Sequence, residues 1–234
     1  MTLPAVRSEL RRHASAAQAK ILQGFFKTGP GQYGEGDIFI GVKVPATRKV
    51  AAIFQDLSVS ATLSLLKSPI HEERLLALLI LIRKYEQGDA SGQQRIVDLY
   101  LAHTRYINNW DLVDLSAAKI IGHFLIDKER GLLDRLARSK NLWERRISII
   151  ATYAFIREQD LGDTFRIADR LLADPEDLMH KAVGWMLREA GKRDVRALED
   201  FLKPRYLRLP RTLLRYAIER FPEAHRKRYL KGLV

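Results

Sequence analysis

The sequence predicts an all-α protein folded as a curved solenoid of helical repeats, and three observations lead to this fold class. Apolar residues recur at helical spacing along almost the whole chain. Glycines concentrate in one loop, residues 27–44. Long helices, most of them following a shorter one, begin about every 32 to 40 residues, a period typical of HEAT-type repeats. Such a stack would form a concave basic groove, and we expect residues 1–234 to form a single domain.

Helix boundaries are predicted from capping residues and from proline and glycine. The loop 27–44 contains Asp37–Val42, an extended segment for which the sequence offers no sheet partner. Pro45 begins the next helix, because proline suits the first helical position. Asn141 and Glu144 resemble a capping box. The predicted helices cover residues 4–14, 16–26, 45 onward, 58–66, 70–86, 90–104, 109–125, 128–138, 141–158, 161–172, 175–190, 194–202, 210–221 and 222–230.

Composition predicts a polyanion as the partner. The net charge is +12, and residues 203–231 contain ten Lys and Arg against two acids. The chain has no cysteine, its six histidines lack metal-ligand spacing, and no phosphate-binding glycine motif occurs, so we expect no metal and no cofactor. No apolar run could span a bilayer and no signal-peptide pattern opens the chain, which predicts a cytoplasmic, nucleoid-associated protein without a membrane partner. We expect a monomer, as is common for solenoids that use their concave side.

The helix predicted at residues 109–125 carries the most informative polar residues. Trp110 and Asp114 are four residues apart and share one helical face. Asp114 lies beside the apolar stripe and should be partly desolvated, whereas Asp111 points away and should be solvated. A structural interpretation remains open, in which Asp111 favours the helix dipole and Asp114 makes a structural hydrogen bond. The apolar stripe consists of Val113, Ala117, Ile120, Ile121 and Phe124.

Two later helices place cations and an indole at the same edge of their apolar stripes. Arg146 flanks the stripe of the helix that begins at Asn141, and Arg145 points away from it. Lys181, Trp185 and Arg188 form a basic–aromatic–basic ribbon on the helix that begins at Pro175. Cations suit phosphates and an indole suits sugars or bases, although a core tryptophan and surface arginines are the simpler alternative.

A partly desolvated carboxylate among cations and indoles suits a reaction that develops positive charge. Cleavage of an N-glycosidic bond passes through an oxocarbenium-like transition state, which a carboxylate stabilises while orienting a water. Indole faces add a weaker cation–π attraction. If the departing base is already positively charged by alkylation, it leaves as a neutral molecule and needs no general acid. The reaction requires neither metal nor cofactor.

Four segments together resemble the AlkD family of bacterial DNA glycosylases, which are built from HEAT-like repeats. They are Phe39–Pro45 followed by Arg48, Asn109–Asp114, Asn141–Arg146 and Lys181–Glu189. The resemblance implies excision of positively charged N3- and N7-alkylpurines from duplex DNA without flipping the base into a pocket. Some members have two consecutive tryptophans where this chain has Asn109 before Trp110, which bears on affinity or lesion range rather than on the chemistry.

By this resemblance, Asp114 is the catalytic carboxylate, Trp110 and Trp185 pack against the sugar–phosphate backbone, and Arg146 holds a phosphate. Further predicted DNA contacts are Lys181, Arg188, Arg145, Arg211 and Arg215. Two alternatives stay open: a non-catalytic HEAT-repeat protein that binds damaged or branched DNA, and a protein–protein scaffold. Base release separates the first alternative from a glycosylase, and salt-sensitive duplex binding separates both from a scaffold.

Overall fold

The computed structural model describes all residues 1–234, and every regular element in it is helical. The chain divides into two compact units, Met1–Leu112 and Val113–Val234. The predicted all-α class is therefore confirmed, whereas the curved solenoid, its groove and the single domain stay predictions. None of the helices combines the length and the apolar character that a membrane crossing requires.

Unit 1 packs around one long buried helix. Thirteen of the seventeen residues of this helix, α5 (His71–Gln87), are buried, as expected for a helix that is covered on every side. In contrast, α2 (Ala16–Phe25) has no buried residue although it is rich in alanine and large apolar side chains. The helices are α1 (Leu3–Arg11), α2 (Ala16–Phe25), α3 (Val44–Ile53), α4 (Val59–Leu66), α5 (His71–Gln87), α6 (Ala90–Ala102) and a 3₁₀ turn at Thr104–Tyr106.

The glycine-rich loop of unit 1 has a pairing partner that the sequence did not reveal. Ile38 forms an isolated parallel bridge with Ile70: its N–H donates to the Pro69 carbonyl (3.2 Å), and its carbonyl accepts from the His71 N–H (2.8 Å). The partner is a single residue before a helix, so no strand pattern marks it. Gly41 is required in this loop because its φ is +82° and an added Cβ would lie 2.1 Å from the Ser15 carbonyl oxygen.

The helices that lie wholly within unit 2 range from five residues in one case to seventeen in another. Helix α7 (Trp110–Ala117) begins in unit 1 and ends in unit 2. The helices that follow are α8 (Gly131–Ala137), α9 (Leu142–Ala151), α10 (Tyr153–Arg157), α11 (Gly162–Leu171), α12 (Asp177–Arg193), α13 (Val195–Leu202), α14 (Arg211–Ala217) and α15 (Glu223–Lys231).

Two helices predicted as continuous are interrupted. Residues Ala118–Gly122, directly after α7, form a π-helical segment, a rare wide turn that recurs at functional sites. Gly122 permits close packing there, since an added Cβ would lie 2.2 Å from the Ala151 carbonyl oxygen at the end of α9. The predicted helix 141–158 breaks at the buried Thr152, whose hydroxyl donates to the Ile149 carbonyl (2.7 Å).

Candidate functional site

The first turn of α7 is held by the two polar residues on either side of Trp110. Asn109 is fully buried; its Oδ1 accepts the Trp110 N–H (2.8 Å) and its Nδ2 donates to Asp37 (3.2 Å). Asp111 accepts the Leu112 N–H through Oδ1 (2.8 Å) and a bond from His71 Nε2 through Oδ2 (2.8 Å). Hydrogen bonds therefore hold the backbone on both sides of Trp110. Asn109 makes an accepting and a donating bond with its side chain, which a second tryptophan could not do.

Beside this turn lies a largely buried cluster of two carboxylates and two basic side chains. Its members are Asp37, Asp111, His71 and Arg74. Asp37 in the glycine-rich loop accepts from His71 Nδ1 (2.9 Å) and from Arg74 Nη2 (2.5 Å). The side chains of His71, Asp37 and Arg74 are 2%, 3% and 6% exposed, respectively. Buried charges are tolerated when each is paired and hydrogen-bonded, which this cluster achieves with a formal charge of zero.

The cluster shifts the ionisation of its members. Burial opposes the charged form of His71, but the hydrogen bonds to Asp111 and Asp37 outweigh it and raise the pKa of His71 from 6.5 to about 8. Burial also opposes ionisation of Asp37, but the His71 hydrogen bond and the Arg74 charge lower the pKa of Asp37 below 3.8. At neutral pH the histidine is therefore an imidazolium that donates from both nitrogens.

The prediction that Asp111 is solvated is wrong. Its side chain is only 16% exposed and is bonded to His71. Helical spacing did place it away from the apolar stripe, but that face is covered by the start of α5. The partners are 34 and 40 residues apart along the chain for Asp37–His71 and His71–Asp111. No local spacing pattern reports contacts over such separations.

An aromatic group surrounds Trp110 within unit 1. Its indole stacks on Phe26, with ring centroids 5.1 Å apart and planes 12° apart, and meets Phe25 edge-on at 5.9 Å. The indole Nε1 donates to the Tyr33 hydroxyl (3.3 Å). Phe25 is 62% exposed although it is large and apolar. Sequence reasoning missed all three partners, because no local spacing pattern links residues 25–33 to residue 110.

In unit 2, the predicted catalytic carboxylate is held by an arginine fork. Arg146 donates from Nε to Asp114 Oδ1 and from Nη2 to Asp114 Oδ2, both at 2.8 Å, in a bidentate pair. Arg146 Nη1 donates to the Leu178 carbonyl (2.6 Å). The side chains are 5% exposed for Arg146 and 16% exposed for Asp114. Asp114 is partly desolvated, as the helical spacing predicts.

Arg146 and Arg145 both use their guanidinium donors within the protein. All three nitrogen groups of the buried Arg146 donate within the protein, two of them to Asp114, and a phosphate contact by Arg146 stays a prediction. Arg145 donates to Asp174 from Nε (2.6 Å) and Nη2 (3.3 Å), and from Nη1 to the Ser139 and Lys140 carbonyls. These guanidinium donors are used internally, which disfavours the predicted DNA role of Arg145.

The ribbon on α12 is present but its cations are paired. Lys181 Nζ lies 2.7 Å from Asp177, with both side chains exposed. Arg188 is paired with Glu189 and Glu219. The Trp185 indole Nε1 donates to Glu189 Oε1 (3.2 Å). The exposed Lys181 can exchange its partner for a phosphate at little cost, since surface ion pairs contribute only about 0–1 kcal/mol.

Three further residues of unit 2 are Tyr153, Arg211 and Arg215. Tyr153 at the start of α10 lies beside Trp185, with ring centroids 6.4 Å apart, and was not identified from the sequence. Of the predicted C-terminal DNA contacts, Arg211 donates to the Leu230 carbonyl (2.9 Å), and Arg215 is exposed on α14.

No group of histidine and acidic side chains has the arrangement of a metal site.

Comparison with known proteins shows which family the chain resembles. The DNA alkylation repair enzyme family matches residues 6–221. A solved structure, described as a predicted DNA alkylation repair enzyme from Enterococcus faecalis, is similar with a TM-score of 0.69 and 14% identity, covering 90% of this chain and 98% of that one. At this identity the likeness supports the fold alone. No curated protein matches. Because the family match spans most of the sequence, the chain belongs to the DNA alkylation repair enzyme family.

Proposed function

We propose that the protein is a monofunctional DNA glycosylase that hydrolyses the N-glycosidic bond of positively charged N3- and N7-alkylpurines in duplex DNA. Family membership supports DNA as the substrate. The observation that carries the reaction type is the Asp114 carboxylate, which is partly buried, fixed by a two-point arginine fork, and more accessible than the arginine that holds it.

The Asp114 carboxylate supplies a fixed negative charge for a transition state that becomes positive. When the bond from C1′ to the base nitrogen breaks, its electron pair goes to the base and neutralises the alkylpurine cation. The sugar takes on oxocarbenium character, which a carboxylate stabilises without reorganising during the reaction. Arg146 partly opposes this attraction, but it lies on the buried side, so the negative end of the ion pair is the accessible one.

Hydrolysis is completed by water. Asp114 is proposed to orient the water that adds to C1′ and to accept its proton. The alkylated base needs no protonation, because it leaves neutral, and the reaction therefore needs no second carboxyl group as general acid. Trp110 and Trp185 are proposed as aromatic contacts to the sugar–phosphate backbone, with a cation–π contribution of about 0.5–2 kcal/mol each. Direct hydrolysis in place, without flipping the base into a pocket, is part of this proposal.

Base release combined with duplex binding tests the function. Methylated duplex DNA incubated with the protein should yield free 7-methylguanine or 3-methyladenine, detected by mass spectrometry, together with abasic sites. Tight, salt-sensitive duplex binding with no release from any alkylated duplex would instead support a non-catalytic DNA-binding protein. Weak duplex binding even at low salt would favour a protein–protein scaffold. Protein-free incubations correct for spontaneous depurination.

A further inference from the structure

His71 is the one buried histidine that bonds to a carboxylate on each side of its ring. It is the first residue of α5 and is 1% exposed. Its Nδ1 meets Asp37 of the glycine-rich loop at 2.9 Å, and its Nε2 meets Asp111 of α7 at 2.8 Å. A neutral imidazole has one N–H and could donate to only one of them. The geometry fits the doubly protonated ring, which can donate to both carboxyl groups.

These bonds converge on the two neighbours of Trp110. Asp111 follows Trp110 and takes its bond directly from His71. Asn109 precedes Trp110 and donates to Asp37 Oδ2, the same oxygen that accepts from His71. The first turn of α7 is thus linked through one imidazolium to the loop, and Trp110 lies between the two links.

The histidine also belongs to the ring stack that supports the indole. Its ring lies 4.4 Å from the Phe39 ring at 22° and 5.0 Å from the Phe26 ring. Phe26 stacks in turn on Trp110. A change in the imidazole therefore reaches the indole by two routes, through hydrogen bonds to its neighbours in the chain and through ring packing.

We propose that His71 is a positioning residue, which fixes Trp110 for the glycosylase reaction by holding the first turn of α7 to the glycine-rich loop. This inference rests on the proposed function, in which Trp110 contacts the DNA. It requires no contact between His71 and the substrate. Loss of the ring proton removes one of the two carboxylate bonds, frees the first turn of α7 to move, and misplaces the indole.

The groups that face His71 set the pH at which its ring loses a proton. Asp111 from α7 and Asp37 from the loop favour the imidazolium, Arg74 from α5 disfavours it, and the Phe26 and Phe39 rings cover its faces. The neighbouring Glu72 turns away to accept the N–H groups of residues 40–42. The pKa of His71 is raised from 6.5 to about 8. Its contribution to stability is therefore fully present below 6.5 and is lost as the pH rises through about 8.

Fluorine NMR of protein labelled with 5-fluorotryptophan tests the proposal without relying on activity. The chain has three tryptophans, so Trp110→Phe assigns the Trp110 resonance. We expect this resonance to shift with a midpoint near pH 8, and His71→Gln to abolish the transition. Asp111→Asn keeps an acceptor but removes a charge, so it should move the midpoint down by about one unit or more. His103→Gln, a partly exposed histidine bonded to the Leu99 carbonyl, is the matched control and should leave the transition unchanged.

Single-turnover base release, measured across the same pH range, supplies the functional readout. The wild-type rate should fall with the same alkaline midpoint at saturating protein. His71→Gln should lower the neutral rate by about tenfold or more and remove this limb of the profile. A Trp110 resonance that does not titrate, or that titrates equally in His71→Gln, would overturn the proposal. Absence of base release by the wild type would overturn the glycosylase function instead, while the resonance would still decide whether His71 positions Trp110.

Discussion

Two neighbouring arginines on α9 form ion pairs that differ in which partner is accessible. In the Arg145–Asp174 pair the arginine side chain is 15% exposed and the carboxylate 3%. In the Arg146–Asp114 pair the arginine is 5% exposed and the carboxylate 16%. Both pairs join a guanidinium to an aspartate by two nitrogen–oxygen contacts. The chemistry of the pairs is alike, and their orientation is reversed.

The reversal assigns the pairs different tasks. Asp174 lies in the turn before α12, where its Oδ1 also accepts the Glu176 N–H (3.0 Å) and its carbonyl accepts from His180 (2.6 Å). Asp174 therefore stabilises the turn before α12 from within the protein. In the other pair Asp114 is the more exposed partner, at 16%, and Arg146 is the more buried one, at 5%. A buried arginine that fixes an accessible carboxylate costs desolvation energy, which is expected where a charge must be oriented for function.

The largest effect on stability is expected when the buried cation is removed. Arg146→Ala leaves Asp114 without its fork and the Leu178 carbonyl without a donor, and should lower the free energy of unfolding by about 3–5 kcal/mol. Denaturant titration measures this loss. The double variant Arg146→Ala with Asp114→Ala should recover part of it, because no unpaired carboxylate remains. Equal losses in the single and double variants would contradict the account of the pair.

A smaller effect is expected when the Arg145–Asp174 pair is weakened, and it should change the free energy of unfolding but not the rate of base release. Asp174→Asn keeps an acceptor for Glu176 but weakens the charged bond to Arg145, so the free energy of unfolding should fall by about 1–3 kcal/mol. Base release per folded molecule should change less than about twofold, since Asp174 is 3% exposed and takes no part in the proposed reaction. A large loss of rate at full folding would remove the distinction between the two pairs.

The smallest effect concerns DNA affinity. Arg215 is exposed, whereas the donors of Arg145 are engaged internally. Arg215→Ala should lower the slope of the logarithm of affinity against the logarithm of salt concentration by about one, the value for one lost phosphate contact. Arg145→Ala should leave that slope unchanged. Fluorescence anisotropy with a labelled duplex at several salt concentrations measures both slopes, and a reversed order would refute the reassignment of Arg145.

The two pairs also illustrate what the sequence can and cannot predict. Helical spacing identified Asp114 at the edge of an apolar stripe, since period and position depend only on local geometry. The same spacing separated Arg146 from Arg145 but could not supply their acceptors, which lie 32 and 29 residues away in the chain. The phosphate role of Arg146 comes from the family resemblance and stays a prediction beside the ion pair with Asp114.

Unit 1 demonstrates this limit more strongly. The loop 27–44 was predicted from its glycines, because glycine content is a local signal. The use of that loop to hold Asp37 against His71 and Asn109 depends on contacts over 34 and 72 residues. The π-helical turn after α7 was likewise invisible, since its apolar residues satisfy an ordinary helical pattern. Buried polar residues find their partners only once the chain has folded.

Release of free alkylpurine by wild type and by Asp114→Asn tests the central claim most directly. Both proteins are compared at saturating concentration on the same methylated duplex, after a binding titration has established equal occupancy. We expect the wild type to release 7-methylguanine or 3-methyladenine, and Asp114→Asn to do so at least about a hundredfold more slowly, because the amide cannot stabilise the sugar cation. Undiminished release by Asp114→Asn at equal occupancy would contradict the assignment of this carboxylate as the catalytic group.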